Sequence, residues 1–110
     1  MRKLSNEAEF LEYINSHAIC LVYFSGPDCA VCKVLKPKLV ERLRQDFKKV
    51  EVAEIDCSQL KALAAQQTVF SLPTVIVFIE GRENSRKSRS FSLSELASEL
   101  QRPYSVLYGS

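Results

Sequence analysis

No stretch of this sequence approaches the ~20 consecutive apolar residues that a membrane-spanning helix needs. Charge of one sign is scarce too: 15 lysines and arginines against 13 aspartates and glutamates leave a formal +2, which demands no polyanionic partner. Histidine occurs once, as His17, and supplies no pair for a zinc site. Four cysteines in 110 residues are too sparse for a small disulfide-stapled scaffold. What is present is ordinary globular usage, 46% apolar and 25% charged, which sets aside disordered, collagen-like and coiled-coil classes. The length fits one domain over 1–110. The start, Met1-Arg2-Lys3-Leu4-Ser5-Asn6-Glu7, meets polar and acidic residues where a signal peptide would be apolar. The expectation is therefore a soluble cytoplasmic protein, a monomer or weak dimer, with no membrane or nucleic-acid contact.

Residues 2–4 can form a short edge strand. Asn6 and Glu9 have capping-box spacing, and Phe10, Leu11 and Ile14 recur at helical intervals to about His17. The unbroken apolar run 18–24 suits a strand buried on both faces. Ser25-Gly26-Pro27-Asp28 breaks it, with Asp28 or a neighbour placed to cap the next helix. That helix runs from Cys29 to about Phe47, with Leu35, Leu39, Leu43 and Phe47 at i+4 steps and Pro37 expected to kink it.

Residues 50–55 read as a strand ended by Asp56, followed by a short helix capped by Ser58. Residues 74–79 are almost all β-branched or aromatic and form the clearest strand. Glu80-Gly81 signals a tight turn into an antiparallel edge strand from Arg82. Ser92 and Glu95 cap a last helix that Pro103 is expected to stop. Residues 103–110 then form a short C-terminal extension, apolar enough to dock on the body or on a second subunit. The order β-α-β-α-β-α-β-β-α predicts an α/β protein, a central mixed sheet flanked by helices on both faces.

The sharpest local signal is Cys29-Ala30-Val31-Cys32 at the join of a buried strand and a long helix. Cysteines at i and i+3 in a first helical turn face one side and can bridge with little movement. The first lies among unpaired N–H groups at the positive end of the helix dipole, which favours the thiolate that attacks disulfides. Two other readings stand beside a redox pair. A structural zinc site needs a second ligand pair, and Cys20, Cys57 and His17 stand apart. Two small core residues three apart would not account for the placement after Gly26-Pro27.

From Phe10 to about Leu100 the chain resembles the thioredoxin family. The likeness lies in Cys20-Leu21-Val22-Tyr23-Phe24, Cys29-Ala30-Val31-Cys32-Lys33, Pro37, Ile55-Asp56, Ser71-Leu72-Pro73-Thr74 and Phe78-Ile79-Glu80-Gly81. It implies the thioredoxin-like fold and thiol–disulfide oxidoreductase activity, reducing protein disulfides through a mixed disulfide. Cys29 would be the nucleophile and Cys32 the resolving thiol of a redox-active disulfide. Pro73 would be cis, and Leu72 would offer backbone N–H and C=O to an extended peptide. No cofactor or metal is implied. The partners implied are protein disulfide substrates and an electron donor such as a thioredoxin reductase.

Several positions depart from the family. Tryptophan is absent, and Asp28 stands before the first cysteine where the family has one. Asp28 either opposes the thiolate by like charge or serves as a helix cap pointing away. Tyr23 and Val52 stand where the family buries an aspartate–lysine pair, so the Cys32 proton would go to water or to a group such as Glu54. Ser71 and Arg89 stand where glycine is usual and narrow the groove. Arg82, Arg86, Lys87 and Arg89 make the edge hairpin basic, either to protect the edge or to dock an acidic partner. Cys20 reads as core. Cys57 reads as core or as a secondary redox thiol, and His17 as a helix-end residue on the dipole. These departures keep a second hypothesis open, a thioredoxin-fold adaptor with weak or no general reductase activity.

Overall fold

The computed structural model describes residues 1–89 and 91–109. Its elements are β1 (Arg2–Lys3), α1 (Glu7–Asn15), β2 (Ile19–Ser25), α2 (Ala30–Asp46), β3 (Glu51–Asp56), α3 (Lys61–Gln66), β4 (Thr74–Ile79), β5 (Arg82–Ser88) and α4 (Leu93–Tyr108). The strands form one mixed sheet in the order β1-β3-β2-β4-β5. β1, β3 and β2 pair in parallel; β4 runs antiparallel to β2, and β5 to β4.

β2 is buried along its whole length, as its apolar run requires. Alternate side chains point to opposite faces. Cys20, Val22 and Phe24 pack with Phe10, Tyr13 and Ile14 of α1 and Leu63 and Ala64 of α3. Ile19, Leu21 and Tyr23 pack with Leu39 and Leu43 of α2 and Leu96 and Leu100 of α4. Helices thus cover both faces, and each fully buried large side chain contributes about 1.5–3 kcal/mol of transfer free energy.

The helix starts follow local chemistry. Asn6 accepts from Glu9 N at 2.8 Å, while the Glu9 carboxylate reaches back to Ser5 N at 2.8 Å. Ser92 accepts from Glu95 N at 3.2 Å. Each such cap is worth about 1 kcal/mol. At the β4–β5 turn both Glu80 (φ 53°) and Gly81 (φ 80°) lie in the left-handed region, the two-residue geometry whose twist matches a hairpin. A Cβ at Gly81 would also lie 2.3 Å from Asn15 Oδ1 and push that side-chain end aside.

Two expectations are corrected. Ser58 caps no helix: Asp56 Oδ1 accepts from Ser58 N at 2.9 Å and Ser58 Oγ at 2.6 Å, and α3 begins without a side-chain cap. Pro103 does not stop the last helix, which continues to Tyr108 and ends at Gly109 in the left-handed conformation. Tertiary contacts hold that last turn and a half. Tyr104 packs edge-on against Phe47, its hydroxyl accepts from Lys49 N at 3.3 Å, and the Tyr108 hydroxyl accepts from Ile19 N at 3.2 Å. Residues 103–108 are therefore part of α4 and dock on the body.

Among the described residues no helix is long and apolar enough to cross a membrane.

Candidate functional site

β2 and β3 run in parallel and end side by side, with Cys57 N donating to Ser25 O at 2.9 Å. The loop after β2 delivers Cys29 to that edge, where the ends of parallel strands gather sites. Cys29 and Cys32 are joined in a disulfide with Cα atoms 5.2 Å apart. Cys29 is itself the N-cap of α2, its Sγ accepting from Cys32 N at 3.2 Å. The sulfur thus receives a backbone donor at the positive end of the helix. Cys29 is partly exposed, whereas Cys32 is only 3% exposed. Among the described residues no group of three or more His, Cys, Asp or Glu is gathered to hold a metal ion.

The Leu72–Pro73 peptide bond is cis. Arg89 N donates to Pro73 O at 2.7 Å, tying this loop to the end of β5. Arg89 itself has φ 64°, a left-handed position that costs a non-glycine residue some strain. Leu72 lines a cavity of about 510 Å³ with Cys29, Asp28, Pro27 and Cys57. A second cavity of about 300 Å³ shares Leu72 and Cys57 and extends to Val69 and Phe70. Phe70 is 81% exposed, a large aromatic face left in water at this second cavity. Its only signal in the sequence is an aromatic residue three positions before Pro73, too weak to mark it as part of the site.

Behind the dithiol lies a polar cluster. Tyr23, fully buried, donates to Cys32 O at 2.7 Å, tying β2 to the first turn of α2. Burial first, and the Glu54 charge second, push the Tyr23 phenol up to about 12. Glu54 is 7% exposed and stands opposite Tyr23 in the register. Its Oε2 accepts from Ser25 Oγ at 2.8 Å and its Oε1 from Lys36 Nζ at 2.7 Å. Burial pulls the Glu54 carboxyl upward most strongly, but the bonds from Lys36 and Ser25 and the charges of Lys36 and Lys3 together hold it below its ordinary value. Lys36 and Ser25 do not stand out in the sequence. The signal that points to Lys36 is i,i+4 spacing, which puts it one helical turn beyond Cys32 on the same side.

The remaining candidates separate. Cys20 and Cys57 are free. Burial pushes Cys20 up to about 12 and Cys57, with Asp56 adding like charge, up to about 11. Both are thus resting thiols at neutral pH, although Cys57 borders the Cys29 cavity. His17 contacts the Tyr13 carbonyl and the Glu51 carboxylate at 2.8 and 2.7 Å. The basic hairpin is half neutralised from within. Arg86 pairs with Glu83 and donates to the Gln67 and Thr68 carbonyls, and Lys87 pairs with Glu95 and Glu99. Pairing of Arg86 and Lys87 fits the edge-protection reading, while Arg82 and Arg89 keep their charge facing solvent.

Asp28 is exposed, makes no hydrogen bond among the described residues, and leaves the cap to Cys29. The cap reading is thereby set aside, and the like-charge reading is the one left to test. Asp28→Asn in a Cys32→Ser background should speed alkylation of Cys29 by up to about fivefold, the range of an exposed charge interaction, with added salt shrinking the gain. Superimposable pH–alkylation curves for the two proteins would remove any electrostatic role for Asp28.

The family model for thioredoxin matches residues 2–102. Over 97 residues the chain is 30% identical to the thioredoxin-like protein YdfQ of Bacillus subtilis, covering 88% of this chain and 86% of that one. It is 27% identical over 101 residues to the thioredoxin of Mycoplasmoides gallisepticum, covering 92% of this chain and 100% of that one. Among solved structures, the X-ray structure of Fasciola hepatica thioredoxin matches with a TM-score of 0.81 at 30% identity, covering 93% of this chain and 98% of that one.

Proposed function

The chain belongs to the thioredoxin family, and from that premise we propose that it reduces protein disulfides, with Cys29 as nucleophile and Cys32 as resolving thiol. The family fold and the bonded cysteine pair support thiol–disulfide oxidoreductase chemistry in general. The observation that carries the finer reading is the asymmetry of the pair. Cys29 fronts the 510 Å³ cavity, while Cys32 is 3% exposed, so an incoming disulfide meets Cys29 first.

In the reduced protein the Cys29 thiolate, favoured by the helix end, attacks one sulfur of the substrate disulfide. The other substrate sulfur leaves with the bond's electron pair. Cys32 then loses its proton and attacks Cys29 Sγ, and the second substrate sulfur leaves as thiolate. Two electrons pass from the dithiol to the substrate, and a reductase-type donor restores the dithiol. Leu72, whose N–H and C=O make no hydrogen bond within the chain's described residues, is the candidate to pair with an extended substrate backbone. Two of the four hairpin cations, Arg86 and Lys87, are already paired within the chain, which favours the reductase reading over an adaptor that docks an acidic partner. Two cysteines that remain free in addition to the bonded pair fit a reducing compartment such as the cytoplasm.

Turnover of a disulfide-bonded model protein, with a chemical reductant recycling the enzyme, tests the proposal. The wild-type chain should accelerate reduction and Cys29→Ser should not exceed the reductant alone. Equal rates for the two would refute reductase activity.

A further inference from the structure

Resolution requires Cys32, a buried thiol, to give up a proton. A cavity of about 240 Å³ adjoins it, separate from the one that Cys29 lines, and Cys32, Ser25, Lys36 and Glu54 contribute to its wall. That volume has room for several waters, each of which needs only ~10–15 Å³ of accessible space and a few polar partners. The charged groups facing it are Lys3 of β1, Lys33 and Lys36 of α2, and Glu54 and Asp56 of β3. Lysines are already protonated at neutral pH and accept nothing. The Tyr23 hydroxyl is committed as a donor to the Cys32 carbonyl. Asp56 turns its Oδ1 to Ser58 N and Oγ. Glu54 is the one buried carboxylate among the described residues, and Ser25 and Lys36 fix its two oxygens.

We propose that Glu54 accepts the Cys32 proton, through water in this cavity, as Cys32 attacks the mixed disulfide at Cys29. The step rests on the mixed-disulfide mechanism above. The Cys32 S–H bond breaks, its proton passes through water to a Glu54 oxygen, and its electron pair forms the bond to Cys29 Sγ. The bond from Cys29 to the substrate sulfur breaks, and that sulfur leaves as thiolate. Lys36 is the positioning residue. It holds the carboxylate ionised across the neutral range, so the proton is passed on to solvent or to the departing thiolate rather than kept.

A carboxylate that is always ionised makes resolution insensitive to pH, whereas unassisted resolution follows the thiolate fraction. Stopped-flow reduction of a small disulfide-bonded peptide carrying a fluorophore separates two phases. One is bimolecular formation of the Cys29 mixed disulfide, and the other is its unimolecular resolution. Between about pH 5.5 and 7.5 the wild-type resolution rate should be flat. In Glu54→Gln it should fall about 10²-fold at the acid end and rise about tenfold per pH unit, with the bimolecular phase unchanged. Glu54→Asp should restore a flat profile. Lys36→Met, which frees Glu54 to bind protons, should bring an acid limb up by at least about one pH unit, and it tests the same role independently if Glu54→Gln does not fold.

Parallel pH profiles in wild type and Glu54→Gln, a uniform slowing at every pH, or an unmoved acid limb in Lys36→Met would each overturn the role of Glu54. A wild-type chain that forms no Cys29 adduct would instead overturn the reductase reading, so the two failures are distinguishable.

Discussion

Replacing Cys32 by serine should stop the reaction half-way, with substrate covalently held on Cys29. In the oxidised protein the two cysteines have Cα atoms 5.2 Å apart and lie within the first turn of α2. The resolving thiol therefore acts as an intramolecular reagent, and well-oriented groups of that kind reach effective concentrations of about 10⁵–10⁸ M. Serine cannot form a disulfide. Release would then depend on external thiol at millimolar levels, and the lifetime of the adduct should lengthen by at least about 10⁴-fold. Non-reducing electrophoresis and mass spectrometry of Cys32→Ser incubated with a disulfide-bonded protein would show a stable adduct mapped to Cys29. Cys29→Ser should form none at Cys32, because that thiol is 3% exposed. Adducts at Cys32 in that variant, as abundant as those at Cys29, would reverse the order of attack.

The frame of this site is readable in the sequence because its chemistry is local. The buried strand announces itself as an apolar run, and β2 is buried throughout. Asn6 and Ser92 cap as their spacing predicts because an N-cap bond spans only three residues. Glu80-Gly81 likewise encodes its own turn. What stays hidden depends on partners distant in sequence. Pro103 has helix-breaking chemistry, yet α4 passes through it because Tyr104 and Tyr108 find Phe47, Lys49 and Ile19, contacts no local pattern records. The polar cluster behind Cys32 joins residues 25, 36 and 54 from three elements, and the sequence exposes only Glu54, without a partner. Ser58 fails as a cap because it sits in a turn closed on Asp56, and α3 begins only after Leu60. Asp56 offers the same local turn chemistry that makes serine a good cap.

The Glu54–Lys36 pair should also be visible in stability. Lys36→Met should destabilise the oxidised protein by about 2 kcal/mol at neutral pH. Breaking a fully buried pair costs about 3–5 kcal/mol because the survivor is left charged and unpaired. Here the Glu54 side chain is 9% exposed but that of Lys36 36%, so water already screens part of the attraction and the loss is smaller. The pH dependence identifies the cause. In the wild type Glu54 titrates below its ordinary 4.5, so the pair's contribution is complete above the unfolded value and is lost as pH falls through the folded one. Without Lys36, burial dominates and lifts the folded value above the unfolded one. Protonation at mildly acid pH then relieves the stranded charge. The gap between the two proteins should therefore be widest near pH 7 and narrow steadily below about pH 5. Urea unfolding at the two pH values measures it, with the disulfide intact so that the redox state is constant. Lys36→Met combined with Glu54→Gln should recover most of the loss, since neither charge then remains buried alone. A gap that is equal at both pH values would assign the effect to the lysine stem packing along α2 rather than to its charge.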